Sequence, residues 1–265
     1  MRVSSHAHTT HATAATASVS PFDMRVAVIS DIHGNLHALE AVLADIDSQA
    51  PDEIWCLGDV VGYGPRPNEC VALARERTTV ALCGNHDLAV IGTLDVSDFS
   101  GDAGAAVRWT QEVLAPDART WLASLQPAAT RPGAELFHGS PRDPVWDYVL
   151  SEEVARFALL ETTAPVVLVG HSHVALALGW DGETIEGGLA PAGTEAELPP
   201  RRWLLNPGSV GQPRDGDARA AWLLIDDEAG RGTFRRVTYP IDKTQAEIRE
   251  RGLPTALAAR IAHGV

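Results

Sequence analysis

The sequence predicts an α/β fold, a four-layer α/β/β/α sandwich of two mixed sheets flanked by helices. Three observations lead there. Over the first two-thirds of the chain, apolar runs of strand length alternate with helix-period patterns, as parallel strands with crossover helices require. The last third is strand-rich with turn signals, which suits antiparallel additions. Five apolar runs also end in Asp, Asn or His: 25–30 at Asp31-Ile32-His33, 53–58 at Asp59, 80–84 at Asn85-His86-Asp87, 135–137 at His138, and 166–170 at His171-Ser172-His173. One such ending is unremarkable in a strand. Five together point to one shared site at the carboxyl edge of a sheet.

In chain order, strand 25–30 leads into Asp31-Ile32-His33-Gly34-Asn35, with Gly34 permitting a tight turn. Leu36, Leu39, Val42, Leu43 and Ile46 then form a helical stripe. Strand 53–57 follows Pro51, and a Gly/Pro loop runs from Asp59 to Pro65. Asn68 is expected to cap a helix over 69–77, and strand 79–83 leads to Asn85-His86. Residues 88–127 read as helical and either cover a sheet face or lean over the site as a cap. Strand 134–138, a helix over 151–161 capped by Ser151, and strand 165–169 come next. A hairpin turns at Asp181-Gly182, and residues 187–200 read as an exposed loop. Strands are expected at 203–206, 220–226 and 232–239. A helical tail over 243–261 is broken at Gly252 and Pro254.

The 265 residues suit one α/β domain, placed at 24–265. Residues 1–23 are rich in Ser, Thr, Ala and His without hydrophobic periodicity, and read as a disordered extension ahead of Met24. The net charge of −14 excludes bulk nucleic-acid binding. It still permits a small anionic substrate where metal ions reverse the local sign. No apolar run is long enough to span a bilayer, so no membrane association is expected. Cys56, Cys70 and Cys83 read as reduced core thiols, which points to a cytoplasmic protein.

The candidate ligand set is Asp31, His33, Asp59, Asn85, His138, His171 and His173. Asp31 and His33 stand two apart at a strand end, as do His171 and His173, so each pair can project to one side. Carboxylate and amide oxygens with imidazoles, and no thiolate, suit Mn²⁺, Fe or Zn²⁺. Seven ligands exceed the need of one open catalytic ion and fit two ions sharing a bridging carboxylate, a device for phosphoryl transfer.

Asp-x-His, Gly-Asp-x-x-x-Tyr-Gly-Pro, Gly-Asn-His-Asp, His-Gly-Ser-Pro, Gly-His-Ser-His and Asn-Pro-Gly-Ser-Val-Gly-Gln-Pro-Arg-Asp-Gly occur in that order. The chain thereby resembles the calcineurin-like metallophosphoesterase superfamily, in its small bacterial phosphodiesterase branch, from about Met24 to near the C-terminus. The resemblance implies a first ion on Asp31, His33 and His173, a second on Asn85, His138 and His171, and Asp59 bridging them. Mn²⁺ is the expected metal, with Fe, Zn²⁺, Ni²⁺ or Co²⁺ as alternatives. The resemblance also implies that His86 is no ligand but contacts the phosphate and stabilises or protonates the leaving group. Asp87 is expected to orient that imidazole. One departure matters. The phosphoprotein phosphatases of the superfamily carry Gly-Asp-x-x-Asp-Arg-Gly, whose Arg grips phosphate, whereas this loop is Gly58-Asp59-Val60-Val61-Gly62-Tyr63-Gly64-Pro65. Arg142 and Arg214 are the candidate replacements, and Asn35 is a third candidate for substrate binding.

The expected activity is dimetal hydrolysis of phosphate esters by in-line attack of a metal-bridging hydroxide. A phosphodiester or nucleotide-type pyrophosphate is the favoured substrate, a dinucleoside tetraphosphate among them. A phosphomonoester phosphatase and a non-catalytic scaffold on the same fold are the alternatives. The sequence names neither the physiological substrate nor the oligomeric state. His37 is read as solvated, and Trp109 and Trp121 as core.

Overall fold

The computed structural model describes residues 24–198 and 201–265. The expected extension over 1–23 lies outside them. The strands are β1 (Arg25–Ile29), β2 (Glu53–Cys56), β3 (Val80–Ala81), β4 (Ala128–Arg131), β5 (Ala134–Phe137), β6 (Val166–Val169), β7 (Leu176–Trp180), β8 (Ile185–Leu189), β9 (Glu195–Glu197), β10 (Arg202–Asn206), β11 (Ala220–Asp226) and β12 (Arg231–Val237). The helices are α1 (Leu36–Gln49), α2 (Pro67–Arg77), α3 (Asn85–Ile91), α4 (Gly101–Val113), α5 (Pro116–Ala123), α6 (Glu152–Glu161), α7 (Ile241–Glu250) and α8 (Thr255–Arg260).

The strands form two six-stranded sheets, β3-β2-β1-β11-β12-β9 and β4-β5-β6-β10-β7-β8. Both are mixed. β1 is parallel to β2 and antiparallel to β11, and β6 is parallel to β5 and β10 while β10 is antiparallel to β7. Strand alternation separates the layers. Val26 and Val28 of β1 and Trp55 of β2 face the second sheet, meeting Leu136, Leu168 and Leu205 in a dry interior. Ala27, Ile29, Ile54 and Cys56 face the other way, onto Leu39, Val42 and Ile46 of α1 and Val71 of α2. On the far side, Ala155, Ala158 and Leu159 of α6 cover Val167, Val169 and Leu204. Strands buried on both faces need near-continuous apolar sequence, and β1 and β6 have it. The four-layer sandwich expected from the sequence is therefore present.

Several local expectations are corrected. α2 begins at Pro67, whose missing N–H costs nothing in a first turn. Asn68 is no cap; its side chain donates to the Val113 carbonyl (2.9 Å) and accepts from the Ala115 amide (2.8 Å), fixing the α4–α5 turn. Residues 187–200 are not all loop. β8 continues to Leu189, and β9 pairs with β12 at the sheet edge. In β9 Ala196 is buried between two exposed glutamates, the short charged pattern of a protected edge. Residues 88–127 do both things expected of them. Val90, Val107, Ala118 and Leu122 cover the sheet, while residues 98–100 and the start of α4 reach the rim of the site. His37 is paired rather than solvated, with Nε2 3.3 Å from Glu247 of α7.

Candidate metal centre

The parallel strands β1, β2 and β3 of one sheet and β5 and β6 of the other deliver their C-terminal ends to one place between the two sheets. The first sheet brings Asp31, His33, Asp59 and Asn85, and the second His138, His171 and His173. Strand pleating is not what aims them. Asp31, His33, Asp59, His171 and His173 all have positive φ, between 49° and 63°. That left-handed region costs a non-glycine residue about 1 kcal/mol or more. Loop-to-loop hydrogen bonds hold it: Asp31 N to Gly58 O (3.0 Å), His33 N to Asp59 O (2.9 Å), Gly34 N to Val60 O (2.9 Å) and Gly211 N to Asp31 O (3.0 Å).

Two groups of ligating atoms result, each within 4.8 Å internally: Asp31, His33, Asp59 and His173 in one, and Asp59, His138 and His171 in the other. Asp59 belongs to both. Its Oδ2 lies 3.6 Å from His33 Nε2 and 3.5 Å from His138 Nε2, while Asp31 Oδ1 lies 3.4 Å from His173 Nε2. Asn85 Oδ1 stands 3.4 Å from His138 Nε2, on the side of the second group.

Each carboxylate is half spent. Asp31 Oδ2 accepts from the His171 amide (3.1 Å) and Asp59 Oδ1 from the His86 amide (2.9 Å). Asp31 Oδ1, Asp59 Oδ2 and His171 Nε2 are buried without a hydrogen-bond partner. Unpaired polar atoms in a closed site are costly unless something binds them. The histidines are prepared in the same way. Nδ1 of His33, His138 and His173 faces the carbonyl of Val61 (3.1 Å), Leu57 (2.9 Å) and Gln212 (2.6 Å). That contact fixes the tautomer and leaves the Nε2 lone pair toward the centre, the arrangement of metal-binding imidazoles. The donor set therefore fits a pair of divalent ions.

Titration follows burial. Burial, with the neighbouring histidines, holds His33 well below its ordinary value and brings His171 to about 2; burial also lowers His138 and His173. All four are neutral, as ligands must be. Burial would raise Asp31, but wherever the surrounding histidines carry a proton their charge outweighs it, and the group sits below its ordinary value. Asp59 is driven well above the carboxylate range by burial and by the charges of Asp87 and Asp31, a repulsion that a cation relieves. Burial pushes the Cys56 and Cys83 thiols up to about 12, so neither supplies a thiolate.

A cleft of about 200 Å³ opens over Asp59, Asn85, His171 and His173, with Tyr63, His86, Phe99, Trp146, Tyr148 and Arg214 as walls. His86 is buried outside both ligand groups. Its ring packs against Tyr63 (4.4 Å), Phe99 (4.9 Å) and His33 (5.0 Å), and its Nδ1 has no partner. Asp87 does not orient it. The Asp87 carboxylate accepts from the amides of Val60 (3.2 Å), Val61 (3.0 Å) and Gly84 (3.1 Å), which anchor the loop after Asp59, and it makes no hydrogen bond to the His86 imidazole.

Of the expected substrate-binding residues, only Arg214 reaches the cleft. Asn35 is consumed structurally. It caps α1 through Ala38 N, accepts from Thr244 Oγ1 (3.0 Å), and donates to Gly211 O (2.9 Å) and Tyr239 (3.3 Å). Arg142 points to solvent, half exposed and paired with Asp147 at 2.8 Å. Tyr63 and Tyr148 were not singled out in the sequence. For Tyr63 a signal existed, a bulky residue between two glycines in a turn.

The order of ligands, the shared Asp59 and the two mixed sheets agree with one family. The model of the calcineurin-like phosphoesterase superfamily domain matches residues 24–228. The chain belongs to this superfamily. Its members hydrolyse phosphate esters at a binuclear metal centre, consistent with the two overlapping ligand groups here. A crystallised metallophosphoesterase from Sphaerobacter thermophilus superposes with a TM-score of 0.83 at 41% identity, over 91% of this chain and 99% of that one. An uncharacterised protein of Methanocaldococcus jannaschii is 35% identical over 89% of this chain and 96% of its own length. A symmetrical bis(5'-nucleosyl)-tetraphosphatase from Actinobacillus pleuropneumoniae is 34% identical over 74 residues, which is 27% of either chain.

Proposed function

We propose that this protein is a two-metal phosphodiesterase acting on small or nucleotide-type esters and pyrophosphates, dinucleoside tetraphosphates among them. The composition of the cleft carries this reading. Among the residues lining it, Arg214 is the one guanidinium, and the wall around it is phenolic and aromatic with Asp98 among the lining groups. A dianionic monoester would call for more positive charge away from the metals. A diester brings one negative charge at the reacting phosphorus, as an internal phosphoryl group of a dinucleoside polyphosphate does, and an organic substituent that the aromatic wall can pack against. The short stretch shared with the tetraphosphatase supports a nucleotide polyphosphate as one member of the substrate class.

We assign the ligands as Asp31, His33 and His173 for one ion and Asn85, His138 and His171 for the other, with Asp59 between them. The oxygen and imidazole donors suit Mn²⁺. Two such ions, when bound, withdraw charge from the phosphate oxygens and make water nucleophilic near neutral pH. The chain's own groups do the rest. Arg214 holds the phosphate, and His86 faces the leaving group with an imidazole whose Nδ1 has no hydrogen-bond partner. A non-catalytic scaffold would have no use for a buried, unpartnered His86 beside a complete ligand set.

Among the described residues no helix is long and apolar enough to cross a membrane. The three buried free cysteines suit the reducing cytoplasm. The test is a substrate panel with Mn²⁺, combined with metal analysis. Diesters and dinucleoside polyphosphates should turn over faster than monoesters, at two ions per chain. Asp59→Asn should lose at least one ion along with activity. Faster monoester turnover, or full activity at one ion, would overturn the assignment.

A further inference from the structure

We propose that Tyr63 and Tyr148 join Arg214 in a grip that selects singly charged phosphodiesters over doubly charged monoesters. The inference deepens the phosphodiesterase reading above and rests on it.

The glycine-rich loop after Asp59 lacks an arginine and presents Tyr63 to the cleft. Tyr63 sits at φ 56° between Gly62 and Gly64, and its ring lies edge-on to His33 at 4.7 Å. His33 and His86 pack against the ring, and its hydroxyl meets Arg214. The missing guanidinium arrives from another loop. Arg214 is tied by its amide to the His173 carbonyl (3.1 Å), and its guanidinium lies 5.8 Å from the centre of the Tyr63 ring. Its Nη2 donates to the Tyr63 hydroxyl (3.4 Å) and to Gln212 Oε1 (2.9 Å), and Tyr148 lines the same cleft. Arg214 Nε is buried with no partner, a donor awaiting an oxygen. Tyr148 stacks flat on His171 at 4.0 Å and keeps 44% of its surface exposed at the mouth.

A phosphate held over the ligand groups thus meets one cation and two neutral hydroxyls on its outer side. Those donors satisfy one non-bridging oxygen. An esterified oxygen finds aromatic faces there, whereas an extra anionic oxygen would be desolvated without a second cation.

The test uses the full-length, Mn²⁺-loaded protein and the variants Tyr63→Phe and Tyr148→Phe, which keep the rings and remove the hydroxyls. Two readouts are compared: kcat/KM on bis-p-nitrophenyl phosphate and on p-nitrophenyl phosphate, and calorimetric affinity for methyl methylphosphonate and for inorganic phosphate at pH 8. Each variant should lose about tenfold on the diester and on the methylphosphonate, as a hydrogen bond to a charged group implies. The monoester and inorganic phosphate, whose second charge keeps them from seating in this grip, should change less than about threefold. Equal losses for both charge types, or no change in either affinity, would overturn the grip. If the wild type hydrolyses neither ester while the affinity ratio shifts as stated, the phosphodiesterase reading fails and the grip stands.

Discussion

Gly84→Ala is the mildest substitution expected to disable the centre. Gly84 has φ −104°, so alanine brings no backbone strain. Its Cβ, however, would lie 2.1 Å from Asp59 Oδ1 and 2.6 Å from His138 Cε1. The first contact is roughly 1 Å inside van der Waals range, and the carboxylate is the softer partner. Relief must rotate Asp59 away from the His86 amide that holds it at 2.9 Å. Overpacking of this kind costs about 1–3 kcal/mol of stability. A catalytic group moved by about 1 Å costs roughly 10²-fold in rate. Gly92→Ala is the control, because its φ of 88° adds strain with nothing within 4 Å of the new Cβ. The assay is calorimetric Mn²⁺ titration with diester turnover, beside a thermal melt of the metal-free proteins. Gly84→Ala should fail to bind the full pair of ions and lose about 10²-fold in kcat, whereas Gly92→Ala should lose stability alone. Two ions bound with wild-type affinity and kcat within about threefold would refute the placement of Asp59 between the metals.

Other outcomes follow from the same geometry. His86→Ala should retain both ions, because the ring belongs to neither ligand group, and lose about 10²–10⁴-fold in kcat; loss of metal in parallel with activity would make it a ligand. Arg142→Ala should leave kcat/KM within about twofold, since its exposed side chain pairs with Asp147 outside the cleft, and a tenfold fall would restore it to the site. The metal-free protein should weaken in acid. The buried histidines have folded values below their ordinary 6.5, so the unfolded chain binds more protons, and their contribution is complete above pH 6.5 and lost as pH falls. Each costs about 1.4 kcal/mol per unit below that point. Asp59, and Asp87 at about 6, act oppositely, because their raised values give stability that is present below 3.8 and lost on the way up. Five depressed histidines (His33, His86, His138, His171 and His173) against two raised carboxylates make the sum fall, so a urea midpoint no lower at pH 5.5 than at pH 7.5 would contradict the burial of the cluster.

The layers were legible in the sequence because a strand buried on both faces must be apolar throughout, and such runs mark their own ends. The polar residues at those ends were legible for the same reason. What the pattern misjudged is how they are aimed. β1 stops at Ile29, and Asp31 and His33 converge through left-handed turns stitched to the loop after β2, not through strand alternation. Nor does residue type reveal which polar groups remain free. Asp59 and Asp87 look alike as acids just past strand ends. Asp59 has one oxygen committed to a backbone amide and one without a partner, whereas Asp87 serves three amides. Asn35 likewise has its amide spent on α1, α7 and the loop at Gly211. The difference between a ligand and an anchor is a count of unspent lone pairs. That count is set by which loops cross near the residue, and loops far apart in sequence leave no periodic trace. Arg214 and Tyr63 meet by the same rule across 151 positions, joined by a contact that neither loop's local pattern specifies.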